Sequence, residues 1–351
     1  TAISLNSTDV EFTAGIGDYS GTGAAAPVFY LNFGQDSSFA AQKTAQGNGG
    51  TGEDFYYTPP TGFVALNTDN LSAPAIALPT DHFETVLFTG TGATRTVATS
   101  FQSDFAWFKQ RDAATGHLLY NTITGGTNSL VSNTTAAEAQ HGDAVLTFNS
   151  ADIQIAGTDT GGLNGDTNSM VLWNWKAGGA ASTIAAGSID GTNPTIASSV
   201  SANPTAGFSI VSYTGNATAG ATVGHGLSSA PDMIILKDRD AINSWRVYSS
   251  EIPNTQHLIL NDTNALVTGT HWNNTTATSS VFSLGSNDAV NGARGFIAYC
   301  FHSIEGYSKV GSYEGNGNAD GSFIYLGFKP EFFLVKDIDA VESWAMWDGT
   351  R

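Results

Sequence analysis

The sequence predicts an all-β fold made of tandem, jelly-roll-like β-sandwich units. The first observation is composition: 40 of the 351 residues are glycine and 13% are charged, whereas a helix-rich protein has far more Glu, Lys and Arg on its solvated faces. The second is that short runs rich in Val, Ile, Phe, Tyr and Thr alternate with turn clusters such as TGGTNS and GLNGDTNS, as strands do. The third is a segment that occurs three times.

The repeated segment joins an apolar run, a lysine, a cluster of charged residues and then aromatic residues. Its copies are FAWFKQRDAATGHLLY from Phe105, MIILKDRDAINSWRVY from Met233 and FFLVKDIDAVESWAMW from Phe332. A catalytic motif is needed once per active site, so three copies indicate architecture. An aromatic-x-Gly turn precedes each copy, in FTGTGA, YTGNAT and YEGNGN.

Two independent marks give almost the same repeat length. The turns at Phe88 and Tyr213, and the aromatic closing strands at 170–177 and 296–303, are 125 and 126 residues apart. This period fits whole β-domains better than short solenoid repeats. We therefore expect a first sandwich unit at 81–205, a second at 206–305, and at 306–351 the start of a third, incomplete unit.

The first 80 residues differ from the repeats. YLNFGQDSSF and YYTPPTGFVALNTDNL flank a Gly/Gln-rich insert, which predicts a surface loop. These phrases resemble the last strand and exit of a SPRY-type, concanavalin-like sandwich in tail-associated structural proteins of tailed bacteriophages, many of them marine. The resemblance extends to Arg351 through phrases such as GFSIVSYTGNATAGATVGHGLSSAPDMIILKDRD. It implies that residues 1–80 are the remnant of that domain plus a connector.

The lysine of each repeat is followed three residues later by an aspartate. We expect the lysine to cap the strand end and the aspartate to close an Asx-type turn, which are structural roles. A ligand site repeated in each unit is the alternative. The pairs are Lys109/Asp112, Lys237/Asp240 and Lys336/Asp339.

Three aromatic residues are the candidate ligand-binding positions. Trp272 lies in the polar loop THWNNTT, and Trp245 and Tyr248 follow the second lysine repeat. Aromatic faces that alternate with polar residues suit stacking on sugars, although a sandwich core uses the same residue types.

The net charge and the absence of known catalytic motifs argue against several classes of function. The net charge of −18 disfavours nucleic acid and anionic membranes as partners. The sequence lacks a G-x-S-x-G elbow, a P-loop and an H-E-x-x-H motif, and we expect neither catalytic nor metal-ligating residues. No cofactor is expected; the Asx- and Gly-rich loops containing Asp166 and Asp320 leave Ca²⁺ as a minor alternative. The lone Cys300 lies in an apolar run and is expected to be a buried structural thiol.

The resemblance implies a structural virion protein, located in the tail or a surface appendage of the particle and extracellular after release. We expect a tail-fibre or tail-spike segment in host attachment that is not an enzyme. Its expected partners are copies of itself, as trimers in such fibres, other virion proteins and a host-surface glycan. A lectin-like adhesin, a capsid decoration protein and a polysaccharide depolymerase stay open as alternatives.

Overall fold

The computed structural model describes residues 32, 34, 36–50, 52–65, 74–158 and 162–351. The chain divides into two compact units, Thr1–Ala73 and Pro74–Arg351. Described residues of the smaller unit form turns and one isolated bridge, Asn48 with Phe55. The Gly/Gln-rich insert is exposed, as expected for a surface loop. Most of the sequence assigned to the SPRY-like remnant lies outside the described residues.

The first sandwich of the larger unit pairs a five-stranded sheet with a three-stranded one. A short 3-10 helix at Pro79–Asp81 leads into it. Its strands are β1 (Phe83–Thr89), β2 (Arg95–Ala98), β3 (Phe105–Gln110), β4 (Leu118–Asn121), β5 (Gly125–Val131), β6 (Val145–Phe148), β7 (Asp152–Ala156) and β8 (Ser169–Trp175). The large sheet has the order β1-β8-β3-β4-β5 and the cover sheet β2-β7-β6, all antiparallel.

The second sandwich has an eight-stranded sheet and a two-stranded cover. Its elements are β9 (Ser182–Ile184), β10 (Ser198–Asn203), β11 (Phe208–Thr214), β12 (Ala221–Gly224), β13 (Met233–Asp238), β14 (Arg246–Ser249), β15 (Gln256–Ile259), β16 (Val267–Thr268), β17 (Val281–Leu284), the helix α1 (Asp288–Asn291) and β18 (Gly295–Phe301). The sheet order is β16-β15-β14-β13-β18-β11-β10-β9, and β12 pairs with β17. A third hairpin, β19 (Phe332–Val335) and β20 (Ala345–Asp348), follows.

The predicted duplication is confirmed by topology. The order β1-β8-β3-β4-β5 in the first sheet recurs as β11-β18-β13-β14-β15 in the second, and the cover pairs β2–β7 and β12–β17 correspond. The three copies of the repeated segment form the equivalent hairpins β3–β4, β13–β14 and β19–β20. The all-β class is confirmed as well, since antiparallel strands dominate the larger unit.

The boundary expected at residue 205 is placed too late. Strand β9 pairs with β10, and β10 pairs with β11, so both belong to the second sheet. The units also differ from separate domains in a row, because one hydrophobic cluster contains residues of both large sheets and contacts the third hairpin. We call this cluster the central core; it includes Phe105, Trp173, Phe208, Ile235, Trp245 and Tyr299.

Each large sheet has a second apolar face, under its cover sheet. The outer core of the first sandwich contains Phe108, Tyr120 and Ile153, and that of the second contains Leu236, Tyr248 and Phe282. A strand with both faces covered must be apolar throughout. This explains the continuous apolar runs before the repeated lysines.

The repeated lysine caps the strand end in all three copies, as predicted. Its ammonium donates to the carbonyls of the next residue and of the fourth residue on, in Lys109, Lys237 and Lys336 alike. Lys237 is completely buried and also donates to the Thr135 carbonyl of the first unit, at 3.3 Å. Burial lowers the pKa of Lys237 to about 8, while neighbouring Asp238 acts in the opposite direction.

The role expected for the repeated aspartates is corrected. Asp238 and Asp337, directly after the lysine, accept the turn N–H groups. The predicted residues Asp112 and Asp240 instead accept the backbone N–H that begins the closing strand, from Ser169 at 2.8 Å and Gly295 at 2.7 Å. Asp339 is exposed and closes no turn. The prediction failed because the sequence does not show which carboxylate faces the neighbouring strand.

Replacing Lys237 by Met is expected to lower the free energy of unfolding by about 3 kcal/mol, because one buried and two part-buried carbonyls lose their donor. Urea unfolding of both proteins measures the difference. Lys336→Met is the matched control, with a half-buried lysine at the same repeat position whose hydrogen bonds are exposed to solvent, and should change stability by less than about 0.5 kcal/mol. Equal losses in the two variants would contradict the structural role of the buried lysine.

Candidate functional site

A pocket of about 270 Å³ lies where the three repeat units meet, and we call it the junction pocket. Each unit contributes four residues: those of the first unit come from β3, from the loop before β4 and from the segment after β5, those of the second from the segment after β15, and those of the third from the β19–β20 hairpin. The lining residues are Trp107, His117, Ser132 and Asn133 of the first unit, Leu260, Asn261, Asp262 and Thr263 of the second, and Leu334, Ser343, Trp344 and Met346 of the third.

Two asparagines of the junction pocket occupy equivalent places. Asn133 accepts the backbone N–H of His117 at 3.0 Å, and Asn261 accepts that of Trp245 at 2.8 Å. In both units the asparagine lies 16 residues after its partner. These hydrogen bonds fix the loops after β5 and β15, so the polar rim of the pocket is held by the repeat itself.

Indole hydrogen bonds join successive units next to the pocket. Trp245 of the second unit donates to the Val131 carbonyl of the first at 3.1 Å. Trp344 of the third unit donates to the Ile259 carbonyl of the second at 2.8 Å. Val131 and Ile259 end the equivalent strands β5 and β15. The same contact is therefore used at both unit-to-unit boundaries.

His117 occupies this repeat position in the first unit. Its Nδ1 accepts the indole N–H of Trp107 at 3.0 Å, and its ring is nearly parallel to that of Trp173, at 6.3 Å between centroids. Trp173 in turn donates to Asp348 of the third hairpin at 3.0 Å. Burial lowers the pKa of His117 to about 4, with Lys109 and Arg351 contributing. The imidazole is therefore neutral at pH 7.

The predicted ligand-binding aromatics do not form a binding surface. Trp272, Trp245 and Tyr248 are 1%, 0% and 2% exposed. Trp272 packs edge-on against Tyr248 in the outer core of the second sandwich, with ring centroids 5.5 Å apart. Trp245 lies in the central core. A sugar cannot stack on rings that are covered on both faces, so these three residues have structural roles.

The lining of the junction pocket suits a small, neutral, polar ligand. Indole and thioether surfaces lie beside amide and hydroxyl groups, and Asp262 is its acidic residue. A glycosidase needs two positioned carboxylates, which this lining does not supply. Within the described residues, no group of three or more His, Cys, Asp or Glu side chains could hold a metal ion. Over the same residues, no helix has the length and hydropathy to cross a bilayer.

Sequence reasoning missed the junction pocket as a site. A usable signal was present, because His117, Trp245 and Trp344 align in the three copies and two of them are followed by an asparagine at the same spacing. The sequence does not show that these loops from three units meet, since periodicity within a unit carries no information about its neighbours.

Buried histidines lie outside the pocket as well. His257 and His271 have ring centroids 4.0 Å apart, and their ring nitrogens make no hydrogen bonds within the described structure. Burial lowers both pKa values, and Arg246 adds to the effect. His225 accepts the N–H of Leu227 at 3.2 Å and is completely buried, which lowers its pKa to about 4. All three imidazoles are neutral in the folded protein at pH 7.

Acid is expected to destabilise the fold because these histidines bind protons more readily when unfolded. A histidine with a folded pKa near 4 contributes stability that is complete above pH 6.5 and lost as the pH falls to 4. The loss per histidine is at most about 1.4 kcal/mol per pH unit. Urea unfolding between pH 6 and 5 measures the slope, which His225→Gln should flatten by about that amount, with no flattening between pH 7.5 and 8.5. An unchanged slope between pH 6 and 5 would contradict the buried neutral state.

Comparison with known proteins gives one match. No curated protein and no solved structure matches the chain. A family model described as a domain of unknown function, DUF7483, matches residues 78–351. This range contains both sandwiches and the third hairpin, and its start agrees with the larger compact unit at Pro74–Arg351. The chain therefore belongs to the DUF7483 family.

Proposed function

We propose that this protein is a structural component of a tailed-bacteriophage particle, a tail-fibre or tail-spike segment that acts in host attachment without catalysing a reaction. The observation that supports it best is the central core, in which both large sheets and the third hairpin pack on one aromatic cluster. Units that share a core cannot bend relative to each other as units on flexible linkers do. Such a rigid arm suits an appendage that positions a distal contact.

The acidic surface is compatible with this role. A net charge of −18 keeps the protein soluble and repels nucleic acid and anionic lipid. The resemblance of the repeats to tail-associated proteins supports a location in the tail, and copies of the chain, other virion proteins and a host glycan are the proposed partners. Self-association as a trimer is part of this proposal.

The expected result is that the protein is a stoichiometric component of purified particles and that antibodies against it label the tail. Quantitative mass spectrometry of particles and immunogold electron microscopy measure this. The major capsid protein is the internal standard for copy number. Absence from washed particles would overturn the virion assignment, and label distributed over the capsid would overturn the tail placement.

Glycan binding at the junction pocket is a second proposal, favoured by the pocket's lining. The half-buried face of Trp344 lies beside the polar groups of Asn261, Asp262 and Thr263. Aromatic surface next to amide and hydroxyl groups is the chemistry that sugar recognition uses. This candidate keeps the carbohydrate role but moves it from the buried aromatics to the pocket.

Ser343→Trp is expected to abolish binding of host-surface oligosaccharides, because the exposed Ser343 lines the pocket and an indole at this position would fill it. Isothermal titration calorimetry against oligosaccharides released from the host surface measures the affinity. Val341→Trp is the control, since Val341 is exposed in the same hairpin loop but does not line the pocket. Equal binding by both variants would move the glycan site elsewhere, and no binding by the unmodified protein would remove this proposal.

A further inference from the structure

Within the described residues, the third repeat unit forms one hairpin, in which β19 pairs only with β20. In the two complete units, the equivalent strands β3 and β13 have a second neighbour, the closing strands β8 and β18. Among the described residues, no strand therefore pairs with the backbone donors and acceptors on the equivalent edge of β19. Natural proteins usually cover or pair such an edge.

The outer face of the third hairpin is apolar and open. Trp347 is 54% exposed, whereas the equivalent residues Tyr120 and Tyr248 are 0% and 2% exposed in the outer cores. Phe333 and Trp347 contact each other at 5.7 Å between ring centroids. This face has the composition of an outer core, but no described residues cover it as they do in the other two units.

The glycines of the aromatic-x-Gly turns provide independent evidence about what would cover the outer face of the third hairpin. A Cβ atom at Gly90 would lie 2.0 Å from the Gly165 carbonyl oxygen, and one at Gly215 would lie 2.2 Å from that of Gly292. Both oxygens belong to the turn before the closing strand, so glycine is required there. The equivalent Gly315, in the third aromatic-x-Gly turn, has nothing within 4 Å. The third unit therefore keeps a glycine for a turn that is not present among the described residues.

Asp339 gives the same indication. Its equivalents, Asp112 and Asp240, accept the first N–H of the closing strand, while the exposed Asp339 has no such strand beside it in the described part of the chain. The third unit thus contains the glycine for the turn before a closing strand and the aspartate that would accept the first N–H of that strand. It also contains the apolar face that such a strand would help to form.

We propose that the open edge of β19 is a strand-acceptor site whose occupant is an antiparallel closing strand of this repeat, of the type of β8 and β18. In both complete units this strand comes from the repeat sequence itself, which favours repeat sequence over an unrelated partner. The register follows from β13, where Ile234 lies opposite Cys300 and Ile235 opposite Tyr299. In the third unit, Phe333 is then opposite the position of Cys300, and Leu334 is opposite that of Tyr299.

Disulfide trapping tests both the occupant and the register. Residues that lie directly opposite in an antiparallel pair have Cα atoms about 4.5–5.5 Å apart, within reach of a disulfide. A lysine-flanked synthetic peptide of residues 287–301 carries Cys300 as its only thiol. Phe333→Cys protein incubated with this peptide under glutathione redox buffer is expected to form a one-to-one adduct. The protein's own Cys300 is buried and should not react.

Leu334→Cys is the matched control, because its side chain points to the opposite face of the strand and should give at least tenfold less adduct. Hydrogen exchange of the 332–335 segment should also slow when the peptide is added to the unmodified protein. Equal trapping of a scrambled peptide, or no adduct with Phe333→Cys, would overturn the proposal. Disulfide-linked dimers of the Phe333→Cys protein that form in preference to the adduct would overturn it in favour of a second copy at this edge.

Discussion

The central core is the constraint on which the rest of the larger unit depends. Both large sheets place aromatic side chains into it, and Phe105 stacks on Tyr299 across the two units at 4.2 Å between ring centroids. Because each sheet also packs against its own cover sheet, its strands are buried on two faces and need an apolar residue at almost every position. The charged residues are thereby restricted to the strand ends, where the lysine caps and the carboxylates of Asp112 and Asp240 organise the turns and the closing strands.

The fold was largely predictable because the repeated segments can be recognised in the amino-acid sequence. The apolar runs, the lysines and the aromatic-x-Gly turns predicted a copied all-β unit, and the matching strand orders confirm it. The boundary at residue 205 failed because β9 and β10, which precede the aromatic-x-Gly turn, add to the edge of the second sheet. Strands added at the edge of one sheet have no counterpart in the other unit, so the repeat length does not reveal them.

The candidate site was less predictable than the fold. Trp272 lies between polar residues in THWNNTT, yet its ring points into the outer core and is covered. The polarity of sequence neighbours reports on the loop backbone and not on the direction of one large side chain. The junction pocket requires loops from three units to meet, and their mutual orientation depends on the central core. Local patterns could therefore name residues such as Asn133 and Asn261 without showing that they share a pocket.

The indole hydrogen bonds of Trp245 and Trp344 both run in one direction along the chain, from a repeat unit to the one before it. Trp245 and Trp344 each need a carbonyl from the preceding unit, whereas His117 finds its partner, Trp107, within its own unit. The side chain at this position thus finds its hydrogen-bond partner within the first unit, whereas in the second and third units the partner belongs to the preceding unit. In this chain the histidine therefore lies in the first unit, and the tryptophans lie in the two units that each contact a preceding one.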